Sequence, residues 1–87
     1  MKDCHPLVRA LIDALLLLEF SGPDEVNPDT AVRGMENIAS SLKALDEFDQ
    51  RDLRAQLLQI ADESDDVPFS KFVRSLPDIL GLEPADV

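Results

Sequence analysis

Prolines, glycines and capping acids cut this chain into four stretches, each with apolar residues spaced by threes and fours, and that punctuation constrains the fold most. Pro6 stands at the start of the first stretch, where its missing N–H costs nothing, and Ser21-Gly22-Pro23 breaks it. Asn27-Pro28-Asp29-Thr30 opens the second. Asn27 reads as its N-cap, Pro28 as its first turn, and Asp29 sits near the positive end of the helix dipole. Asp46 or Asp49 caps the third, and Val67-Pro68 opens the last. Pro77 is expected to bend or break that helix, with Ser75-Leu76-Pro77-Asp78 starting a final turn that Gly81 ends. β-branched and aromatic residues are too few to build a sheet. The prediction is an all-α, single-domain bundle of about four short helices over residues 1–87, a length with no room for a second core.

The spacing assigns a core face to each stretch. In the first, to about Phe20, Leu7, Val8, Leu11, Ile12, Leu15, Leu16 and Leu18 cover most of the circumference, leaving a polar strip at Arg9 and Asp13. A helix apolar nearly all round is expected at the centre of a bundle; the alternative is a homodimer contact through its surplus apolar face. Val32, Met35, Ile38, Ala39, Leu42 and Leu45 stripe the second. Gly34 within it costs about 1 kcal/mol against alanine, and close approach of a neighbouring helix would be a reason to keep it. Phe48, Leu53, Leu57, Leu58, Ile60 and Ala61 supply the buried side of the third. Phe69, Phe72, Val73 and Leu76 line the fourth, Ile79, Leu80 and Leu82 dock the final turn, and Glu83 to Val87 are expected to fray.

Charge says more about partners than about fold. Between Asp46 and Asp66 stand eight acids, Asp46, Glu47, Asp49, Asp52, Asp62, Glu63, Asp65 and Asp66, against Arg51 and Arg54, a local charge of −6 within the chain's −10. With 45% hydrophobic residues this acidity does not imply disorder. The eight basic residues are scattered without a cluster, which argues against nucleic acid and against an anionic membrane. Asp3, Arg9 and Asp13 interrupt what a signal peptide would keep apolar. The longest apolar run, Ala14 to Leu18, is five residues, against about 20 needed to span a bilayer. One cysteine, Cys4, allows no internal disulfide, which suits the cytoplasm.

Chemistry is sparse. Cys4 and His5 could pair as nucleophile and base, but no third group orients them. One His and one Cys also fall short of a zinc site. A calcium loop starting at Asp62 would need Gly and Glu where Val67 and Val73 stand, leaving at most nonspecific divalent binding. Paired carboxylates need a cleft that drives their pKa values apart, and four short helices offer little room for one. Gly22, Gly34 and Gly81 are isolated, so no phosphate loop is present. No enzyme, cofactor or resident metal is expected.

Asn27-Pro28-Asp29-Thr30-Ala31, Leu42 and Leu45 before an acidic cap, Ile60-Ala61 before an acidic loop, Phe72, and Leu76-Pro77 with Leu80-Gly81-Leu82 form one layout. It resembles small acidic helical immunity proteins of bacterial polymorphic and contact-dependent toxin systems. That resemblance, over residues 27 to 82, implies stoichiometric neutralisation of a cognate toxin domain, often a basic nuclease. On either ground the expected partner is a basic protein. The candidate contact surface is Asp62, Glu63, Asp65 and Asp66, supported by Asp46, Glu47, Asp49 and Asp52. Solvation of a small protein's surface is the plain alternative for each acid. The competing functions are a structural or assembly subunit, a homodimeric helical adaptor or chaperone, and a nucleic-acid mimic.

Overall fold

The computed structural model describes residues 5–84. Cys4, one half of the thiol–imidazole pair considered above, lies outside the described residues, as do tail residues 85–87. The chain forms α1 (His5–Phe20), α2 (Pro28–Lys43), α3 (Glu47–Glu63) and α4 (Val67–Ile79), an all-α bundle with no strand among the described residues. None of these helices is long and apolar enough to cross a membrane.

Local chemistry accounts for the helix ends. The Asn27 side chain accepts from the amides of Asp29 at 2.8 Å and Thr30 at 3.4 Å, with Pro28 in the first turn as expected. For α3 the cap is Asp46, which accepts from the Asp49 amide at 2.8 Å. Asp66 caps α4 by accepting from the Phe69 amide at 3.1 Å. Pro77 does not break α4. The helix runs on to Ile79 with Pro77 buried inside it. It ends where Gly81 turns left-handed at φ 68°, the Leu82 amide reaching the Pro77 carbonyl at 2.9 Å and the Gly81 amide that of Asp78 at 3.2 Å. That double closure satisfies carbonyls the last turn would otherwise leave open.

The core joins Val8, Ile12 and Leu15 of α1 to Leu53, Leu57, Ile60 and Ala61 of α3, and to Phe72, Val73, Leu76, Leu80 and Leu82. The enclosure expected for α1 is not found. It packs on α2 and α3, but Leu7, Leu17 and Phe20 are 71%, 60% and 67% exposed. Even with α4 touching it through Phe20 and Phe72, its neighbours leave one side of a helix that is apolar nearly all round uncovered. The element with most buried residues is instead α3. No residue of α2 is fully buried; Met35, Ile38, Ala39, Leu42 and Leu45 pack half-buried on the core, while Val32 faces outward. Gly34 does mark a close approach, since a Cβ there would stand 3.1 Å from Leu18 Cδ1. Phe48 and Ile79, both expected inside, are exposed.

The segment after α4 does not fray as far as Pro84. Lys43 Nζ donates to the Gly81 carbonyl at 2.8 Å, and Arg54 donates to those of Leu82 at 3.3 Å and Glu83 at 3.0 Å. Arg51 donates to that of Pro84 at 3.2 Å. The buried Gln50 accepts from the Glu83 amide at 3.2 Å and donates to the Leu45 carbonyl at 2.8 Å, tying the α2–α3 turn to the tail. Cations that read in the sequence as counter-charges to the acids therefore reach backbone oxygen as well.

Candidate functional site

The acids expected to form one surface divide between the two ends of α3. Asp46, Glu47 and Asp49 lie at its start and Asp62, Glu63, Asp65 and Asp66 at its close. At 1.5 Å per residue these groups are about 24 Å apart along the axis, too far for one small contact. Asp52, half-buried, sits a turn inside, where Gln56 Nε2 reaches it at 3.5 Å.

At the first end two of the acids serve α3 itself. Asp46 is its cap, and Glu47 pairs with Arg51 one turn on at 3.6 Å. The second end is also better compensated than the sequence suggests. Arg74, from α4, reaches Asp62 at 3.0 Å, and Ser70 Oγ donates to the Ala61 carbonyl at 2.8 Å, meeting the negative end of α3 from across the turn. Gln59 donates to Glu63 at 3.0 Å. Asp66, besides capping α4, donates its own amide to Ser64 Oγ at 3.1 Å. Asp62, Glu63, Asp65 and Asp66 all remain exposed to solvent despite these bonds.

What distinguishes this second end is an apolar groove beside it, where the first end has only the single exposed ring of Phe48. Leu16 and Phe20 of α1 and Pro68 and Phe69 of α4 line a groove of about 360 Å³, and Asp66 forms part of its wall. Leu16 and Phe20, four residues apart, share one side of α1. The Phe20 ring is held edge-on against Phe72, centroids 5.3 Å apart at 65°, so it stands in place despite its exposure. Arg9 covers Phe69 at 5.3 Å from the ring centroid. An apolar floor with charged walls is the usual anatomy of a protein-binding patch.

Reading the sequence put Leu16 and Phe69 on helix faces and Phe20 and Pro68 at helix boundaries, and brought none of them to the acids. The available signal was adjacency: Val67-Pro68-Phe69 follows Asp65-Asp66 directly. That α1 would supply the opposite wall depends on packing and has no local mark. Among the described residues no group of three His, Cys, Asp or Glu side chains is placed to hold a metal ion. The chain matches no protein-family model, no curated protein and no solved structure.

Proposed function

We propose that this protein is a non-enzymatic, stoichiometric binder of a basic protein, and specifically an immunity protein that neutralises a cognate toxin domain in the cytoplasm. The contact is the closing end of α3, where Asp66 lines the groove of Leu16, Phe20, Pro68 and Phe69 and Asp62, Glu63 and Asp65 precede it in the chain. The observation that supports this reading is the juxtaposition itself. Exposed acids attract a basic partner over distance and raise its association rate, while an apolar groove supplies the short-range burial that slows its release. Acids alone would describe any solvated surface.

The test is capture of the partner from a lysate of the native organism at low and high salt, followed by kinetics with the identified protein. The reading expects one basic protein held one to one. Association should slow on the order of tenfold or more when Asp62→Asn, Glu63→Gln, Asp65→Asn and Asp66→Asn are combined. Phe20→Ser should instead raise the dissociation rate. Binding that neither change alters would remove this end of the molecule as the contact.

A further inference from the structure

The outward side of α1 carries Leu7, Ala10, Ala14 and Leu17, all exposed, the two leucines at 71% and 60%. At 100° per residue the four fall within an arc of about 80°, turned away from the buried Val8, Ile12 and Leu15. No charged residue lies in that arc, although 30% of the chain is charged. A helix with one face on a core ordinarily presents polar residues there. The spacing of three, four and three is that of a helix–helix seam.

The order of these residues fits a second copy of the same face. Leu-Ala-Ala-Leu at that spacing reads the same in both directions. If a second α1 runs antiparallel across it, with a two-fold axis at the level of Ile12, Leu7 meets the partner's Leu17 and Ala10 meets the partner's Ala14. A two-fold contact requires one patch to complement itself, a demand that an unrelated partner does not impose. Alanines at the crossing point also let the axes approach to the near end of the 8–10 Å range of packed helices. We propose that two copies of this chain associate through an antiparallel α1–α1 seam of Leu7, Ala10, Ala14 and Leu17. The seam lies beside the groove of the toxin-binding reading, not in it: Leu16 is turned about 100° and Phe20 about 60° from Leu17.

Salt separates the two contacts. Each copy carries a formal charge of −10, so screening strengthens self-association while it weakens capture of a basic partner. The experiment is sedimentation equilibrium of the full chain, with reductant present so that Cys4 forms no cross-link, from about 1 μM to about 1 mM. A monomer–dimer equilibrium whose dissociation constant falls as salt rises is the expected result. Ala10→Glu combined with Ala14→Glu sets like charges across the axis and should weaken the dimer about a hundredfold or more. Ala10→Glu combined with Ala14→Lys sets opposite charges across an antiparallel seam but like charges across a parallel one, and should keep the dimer. Both positions are exposed, so circular dichroism should show unchanged helix content. A wild-type chain that stays monomeric throughout overturns the proposal. So does a dimer indifferent to the double glutamate variant, or one abolished by the Glu/Lys pair.

Discussion

Arg54 shows what one side chain can hold at long range. Its guanidinium reaches the Leu82 and Glu83 carbonyls and the Asp78 carboxylate while itself only 17% exposed. Asp78 is 86% exposed, so that ion pair contributes little and the carbonyls dominate. Arg54→Met should cost about 2–3 kcal/mol in urea unfolding, because it leaves carbonyls without donors. Arg54→Lys should recover only part of the loss, a point donor replacing a planar fork. An Arg54→Met chain as stable as wild type would show that water serves those carbonyls equally well. Composition could not announce this role. The sequence marks Arg54 as a cation amid acids, but its main acceptors are backbone groups 28 and 29 positions away, which leave no residue-type signature. Asn27 was legible, and Asp46 as one of two candidates with Asp49, for the opposite reason, since a cap acts within three residues of itself.

At the scale of helices, the contact of α1 with α2 at Gly34 balances two opposed terms. Alanine there would gain about 1 kcal/mol of helix propensity. Its Cβ would press on Leu18, a flexible side chain that lines an open groove of about 240 Å³ and has room to yield. Gly34→Ala should therefore stabilise the protein by somewhat less than about 1 kcal/mol. Gly34→Leu, which overfills the approach, should destabilise it by about 2 kcal/mol. Equal thermal midpoints for the two variants would mean that the helices are not closely apposed here. The boundaries of α1 and α2 were readable because punctuation and periodicity are local. The exposure of Leu17 and Phe20 was not, because periodicity states which sides of a helix are apolar and is silent on how many neighbours exist to cover them. The candidate site fared likewise: its acids were visible one by one, but their separation by the length of α3 follows only from the helix between them.

For the molecule as a whole, the charge of −10 opposes compaction. That figure already counts Lys43, Arg51 and Arg54, whose bonds to neutral main-chain oxygen near the tail leave their charge intact. The urea midpoint should rise as salt increases from about 10 to about 200 mM, as the Debye length shrinks from about 30 Å to below 10 Å. A falling midpoint would mean that the surface ion pairs outweigh the repulsion. The tail fastening has a further consequence, for inheritance. Lys43, Arg51, Arg54 and Gln50 grip peptide groups, and peptide groups are the same whatever codon specifies the residue. Positions 83 and 84 can therefore drift through many substitutions without loosening the bundle, while Arg51, Arg54 and Gln50, which grip them, cannot. Across descendants of this chain, variation should gather in the held segment and constancy in the side chains that hold it, the reverse of the pattern expected where a side chain is what is recognised.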